Sequence, residues 1–110
     1  MELNEYQREA QRYINNELSP ELIEAHALHG MCAEVGELHG IYQKMYQGHV
    51  LSKNHIKREL GDILWMVAEY ATSQGWDLQD VAETNLEKLN ARYPNGFEVD
   101  KSLHRKAGDI

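Results

Sequence analysis

The 110-residue chain carries 11 lysines and arginines against 18 aspartates and glutamates, a formal net charge of −7. That balance argues against a surface built for nucleic acid or an anionic membrane, while leaving room for a local basic pocket that takes a small anion. A hydrophobic fraction of 42% is ordinary for a globular protein, and a single cysteine, Cys32, excludes an intrachain disulfide framework and a cysteine-rich zinc site.

The length fits one domain. A helical unit this short has a limited core, so partner subunits are expected. No apolar run approaches the ~18 residues of a membrane span, and the opening MELNEYQREA is not a signal peptide, so the expected location is the cytoplasm.

The first predicted helix covers 3–16, with Leu3, Tyr6, Ala10, Tyr13 and Ile14 as a loose apolar stripe. Ser19 then caps a second helix with Pro20 at its first position, where a missing N–H costs nothing. That helix is predicted over 20–47, with a bend or break near Gly30. GHVLSKN reads as a loop, with Ser52 as the next cap. A third helix is predicted over 53–74 and stops at Gly75, a common C-terminal signal. Asp77 caps a fourth, through LQDVAETNLEKLNAR, which ends before Pro94. After a helical domain over 1–97, residues 98–110 show no clear periodicity and are expected as a tail, mobile or laid across a neighbour. Nothing reads as a strand. Long helices with short connections predict an all-α antiparallel bundle of about four helices, completed by subunit pairing.

Two acidic tetrads recur, EVGE at 34–37 and ELGD at 59–62. On a helical wheel, Met31, Val35, Leu38, Tyr42 and Met45 gather as the expected core face of the second helix. Glu34 and Glu37 lie at its edge. The third helix repeats the pattern: Ile56, Leu60, Ile63, Val67 and Tyr70 as core, with Glu59 and Asp62 at the edge. Each pair encloses a glycine, Gly36 or Gly61, which removes a side chain where helices or a ligand approach. Carboxylates bordering a core need compensation, and a hard divalent cation supplies it. The donor set is all oxygen, which favours magnesium or manganese over iron or zinc. No glutamate is followed by histidine at the i+3 position, so a di-iron bundle of Glu-x-x-His type is disfavoured. Spacing alone leaves a metal cage and solvated surface acids as open alternatives.

On the fourth helix Asn85, Lys88 and Arg92 share one face. With a carboxylate-held metal they make a clamp for a polyphosphate. The competing reading, a match of cations to the helix C-terminal dipole, accounts for Arg92 but not for Asn85. Lys44, seven residues beyond Glu37, is a further candidate phosphate contact.

AEVGEL, then RELGDILWMVAEYA, then DLQDVAETNLEKLNARYPNGF occur in order with suitable gaps. Together they resemble a MazG-type all-α nucleotide pyrophosphohydrolase over residues 25–97; the first helix and the tail add little. The resemblance implies a magnesium-dependent enzyme that cleaves nucleoside triphosphates to monophosphate and pyrophosphate. It implies Glu34, Glu37, Glu59 and Asp62 as metal ligands, one of them helping to activate water. Asn85, Lys88, Arg92 and Tyr93 then contact phosphates or complete the pocket. It further implies a homodimer or homotetramer. A narrower dUTP, dCTP or phosphoribosyl-ATP pyrophosphohydrolase shares this chemistry, and a non-catalytic nucleotide-binding helical module is the alternative from another class.

Other residues are expected to pack. His26 and His29 read as polar packing residues, and Cys32 as a buried small hydrophobe. Trp65 lies off the centre of its helix's core face, to pack against another subunit or line a base pocket, and Trp76 anchors a turn.

Overall fold

The computed structural model describes residues 1–110. Five helices follow in order: α1 (Leu3–Gln11), α2 (Pro20–Tyr46), α3 (Lys53–Gln74), α4 (Leu78–Arg92) and α5 (Val99–Leu103). There is no strand, so the chain is all-α as predicted. No helix is long and apolar enough to cross a membrane. The chain divides into two compact units, Met1–Leu78 and Gln79–Ile110.

Local chemistry sets the helix ends. The Leu22 N–H donates to Ser19 Oγ at 3.3 Å and Pro20 takes the first helical position, so α2 starts where predicted. The His55 N–H donates to Ser52 Oγ at 3.2 Å and starts α3. Gly75 closes α3 in the left-handed region at φ 76°, which glycine enters without a Cβ penalty. α1 stops at Gln11, short of the predicted 16. The N–H groups of Arg12, Tyr13 and Ile14 turn instead to carbonyls three residues back, at 3.1–3.2 Å, which tightens and ends the helix.

In the first unit α1 and α2 both pack on α3. Three pairs fix α2 and α3 as an antiparallel hairpin. His26 Nδ1 lies 3.0 Å from Glu69 Oε1, Gly30 abuts Met66, and Glu34 gathers with Asp62. Each step of one turn up α2 is one turn down α3. α2 runs unbroken through Gly30, so no break occurs there, and the missing side chain serves a close helix approach.

The α1–α3 contact carries the polar lock of the unit. Gln7, 5% exposed, donates from Nε2 to Trp76 O at 2.8 Å and accepts the Leu78 N–H on Oε1 at 2.7 Å. It thereby satisfies a backbone donor at the start of α4. Trp76 itself anchors the turn through its backbone, while its side chain is 51% exposed.

The core differs from the predicted faces. The buried apolar residues are Ala10, Ala27, Met66, Ala68, Ala71 and Leu78. Val35, Tyr42 and Met45 of α2 and Leu60 of α3 are exposed instead. Within the first unit only α1 and α2 lie against α3, so much of the apolar surface of the hairpin has no cover. Cys32 is also exposed, correcting its expected burial. Trp65 packs within the chain's own cluster of Ala10, Ala68 and Leu78, together with Tyr6 and Val67.

In the second unit the Gly96 N–H closes a turn on Tyr93 O at 3.1 Å, with Pro94 at its second position. Tyr93 and Phe97 pack with ring centroids 5.2 Å apart. Residues 98–110, expected as a tail, carry the short α5 and return Asp109 to Arg92 at the end of α4.

Candidate metal centre

The antiparallel register brings Glu34 of α2 level with Glu59 and Asp62 of α3. One carboxylate oxygen from each lies within 4.8 Å of the others, and all three residues are half-buried. Glu59 and Asp62 are one turn apart on α3, so a single helix supplies two donors and its neighbour the third.

The electrostatics show a site short of positive charge. Burial, then the charges of Asp62, Glu59 and Glu37, push the Glu34 carboxyl above its ordinary value, and a hydrogen bond with Glu59 adds to the effect. His55 Nε2 lies 3.4 Å from Glu59 Oε1 at the exposed side. The other oxygen, Glu59 Oε2, is buried with no hydrogen-bond partner. A buried carboxylate oxygen without a donor is costly, and a divalent cation among three carboxylates satisfies it. The residues therefore fit a hard cation.

Glu37 lies outside this set of three. It is exposed, one turn beyond Glu34, and acts on Glu34 through its charge. Gly36 and Gly61 do not serve a close approach within the chain: a Cβ at either meets no atom within 4 Å. Within the chain, the close helix approach falls at Gly30 instead. Lys44 is exposed in the last turn of α2.

Beside the acids, Tyr6, Glu9, Ala10, Tyr13 and Trp65 line a cavity of about 360 Å³. Trp65 is one helical turn from Asp62 on α3, and burial and then the Asp62 charge raise the Tyr6 hydroxyl pKa. The Trp65 indole N–H is buried without a partner. Sequence reasoning gave α1 little weight because its stripe is loose. The signal was its aromatic residue Tyr6, followed by Tyr13 just past the end of the helix.

The α4 residues belong to the second unit. Lys88 and Arg92 line one cavity of about 610 Å³. Asn85 is exposed outside its lining, and the Tyr93 ring lies 5.8 Å from the Arg92 guanidinium. Arg92 donates twice to Asp109, from Nε to Oδ2 at 2.9 Å and from Nη2 to Oδ1 at 2.8 Å. Sequence reasoning missed Asp109 and the remaining cations of this cavity. The run KSLHRK in an acidic chain was their signal.

No curated protein and no solved structure matches the chain. The family model of the MazG nucleotide pyrophosphohydrolase domain matches residues 3–97, so the match takes in α1 as well as the motif-bearing helices. With three of its acids converging across an all-helical hairpin, this chain belongs to the MazG nucleotide pyrophosphohydrolase family.

Proposed function

We propose that the chain is a magnesium-dependent hydrolase that cleaves a (deoxy)nucleoside triphosphate to the monophosphate and pyrophosphate. The observation that carries the reading is the convergence of Glu34, Glu59 and Asp62 around the unpartnered Glu59 Oε2, in a chain of this family. Glu37 is the proposed fourth ligand, reaching the cation from one turn further along α2. Manganese suits the same oxygen donors.

A bound divalent cation there lowers the pKa of a water and offsets charge on phosphate oxygens. The remaining roles fall to side chains. One of the acids accepts the proton of the attacking water, whose oxygen ends on one product while the bridging oxygen of the cleaved α–β anhydride leaves with the other, giving monophosphate and pyrophosphate. Lys88, Arg92, Asn85 and Lys44 are the proposed phosphate contacts, and Tyr93 holds the Arg92 plane. The aromatic cavity of Tyr6, Tyr13 and Trp65 is the proposed seat of the nucleobase, where a ring stacks without reading a specific edge.

Second copies of the chain are proposed to cover the exposed apolar faces of α2 and α3, giving a dimer or tetramer acting in the cytoplasm. Sedimentation at a mass of 12.7 kDa at all concentrations refutes the association.

The test of the activity is a panel of ribo- and deoxyribonucleoside triphosphates with separate detection of pyrophosphate and orthophosphate. Pyrophosphate release with magnesium is expected. Saturable nucleotide binding with no release under any divalent metal overturns the catalytic reading. Turnover confined to one base, or to phosphoribosyl-ATP, identifies the narrower enzyme.

A further inference from the structure

The cavity of the second unit carries a charge the rest of the chain does not. Lys88, Arg92, Lys101, Arg105 and Lys106 line it, in a protein of net charge −7. Lys101, Arg105 and Lys106 lie beyond residue 97, outside the family match. The acidic side chain among the lining residues is Asp109. Its carboxylate makes a two-point contact with the Arg92 guanidinium, the geometry by which arginine also holds a phosphate. The contact is sheltered, with side chains 10% and 16% exposed. A sheltered guanidinium requires an anionic partner, and any ligand that takes Arg92 must first displace this one.

We propose that this cavity is a site for a multiply charged phosphate ligand and that Asp109 is its internal competitor, occupying Arg92 until the ligand displaces it. For the identity of the ligand the inference rests on the proposed function; the competition itself does not. Hydrogen bonds from Arg92, reinforced by the charges of Arg105 and Lys88, hold the Asp109 carboxyl below the usual carboxylate range, so it remains an anion at neutral pH and keeps competing. Apparent affinity is then the intrinsic affinity reduced by the fraction of molecules in which Arg92 is free. Lys101, Arg105 and Lys106 add attraction for a ligand of higher charge than one carboxylate, which is what lets such a ligand win the exchange.

The experiment is calorimetric titration of the full chain with inorganic pyrophosphate in EDTA, which takes turnover and the carboxylate cage out of the measurement. Asp109→Asn is expected to bind pyrophosphate about tenfold more tightly than the parent chain, and Asp109→Glu, which restores the charge, to return most of that gain. Arg105→Gln with Lys106→Gln, both at exposed positions, is expected to weaken binding severalfold and to flatten its salt dependence. Unchanged or weaker pyrophosphate affinity in Asp109→Asn overturns the competition. Unchanged affinity in the Arg105/Lys106 variant overturns the site, and it does so even if Asp109→Asn fails to fold. A chain that hydrolyses nucleotides but is indifferent to Asp109→Asn refutes this inference alone. A chain that binds pyrophosphate as expected but hydrolyses nothing refutes the catalytic reading alone.

Discussion

The Cβ that Gly30 lacks would sit 3.0 Å from Cγ of Met66, a side chain only 2% exposed. Gly30 is one turn from Glu34 on α2, and Met66 one turn from Asp62 on α3. The close approach at this pair therefore sets the helix separation at which the carboxylates meet. Gly30→Ala gains helix propensity but drives a methyl into a residue with no solvent to swing into. A net loss of about 1 kcal/mol is expected, together with weaker magnesium binding. Gly36→Ala and Gly61→Ala meet open space in the chain, and each is expected to gain about 0.5–1 kcal/mol. Denaturant midpoints of the three variants check the contrast. Equal effects at the three sites remove the special role of Gly30.

Ser19, Pro20, Ser52 and Gly75 were legible in the sequence because a cap is satisfied within three or four residues of itself. The all-α class was legible for the same reason. What depended on a third element was not. A helical wheel gave Val35, Tyr42 and Leu60 as core, yet which face is covered depends on where α1 lies, and periodicity carries no such information. Gly30, Gly36 and Gly61 are alike in sequence; only the register of α2 on α3 distinguishes the one that abuts Met66. The Arg92–Asp109 pair spans 17 positions and a turn, so neither partner announced the other. The acids were legible as two pairs, and the structure draws three of the four into one cluster.

Magnesium is expected to stabilise the fold as well as support turnover, because three carboxylates converge at some cost without it. At about a hundred times its dissociation constant it adds about 2.7 kcal/mol. Glu59→Gln and Asp62→Asn are expected to lose that increment and to lower kcat/KM more than about 100-fold. Glu37→Gln tests the exposed fourth acid, with a fall in turnover expected. Thermal unfolding with and without magnesium, beside initial rates, gives both readouts. Full activity in Asp62→Asn removes the cage from the mechanism.

Glu34 makes the metal-free fold pH-dependent. Its carboxyl pKa is raised by burial and by Asp62, Glu59 and Glu37, so the folded chain binds that proton more readily than the unfolded chain does. The group's contribution is fully present below the ordinary carboxylate value and is lost as pH rises through the raised one. In EDTA, lowering the pH from about 7 to about 5 is expected to stabilise the parent relative to Glu34→Gln, the variant that carries no titrating proton. Saturating magnesium competes with the proton and is expected to flatten that difference. Thermal midpoints of the two chains across this range supply the measurement, and parallel profiles in EDTA contradict the assignment.

The aromatic cavity offers a test that separates base from phosphate. The chain has two tryptophans, and Trp76 is half exposed at its turn, so Trp76→Phe leaves Trp65 as the sole indole reporter. A nucleoside triphosphate seated among Tyr6, Tyr13 and Trp65 is expected to quench that emission, whereas inorganic triphosphate, which has no ring to stack, leaves it unchanged. Stacking on an aromatic side chain contributes roughly 1–3 kcal/mol per base, so Tyr13→Ala is expected to raise KM about tenfold with a much smaller change in kcat. Tyr13 is exposed in the turn just past the end of α1, where truncation does not open the core, so the KM effect reads the contact and not the fold. Equal quenching by both triphosphates places the base elsewhere and returns Trp65 to packing alone.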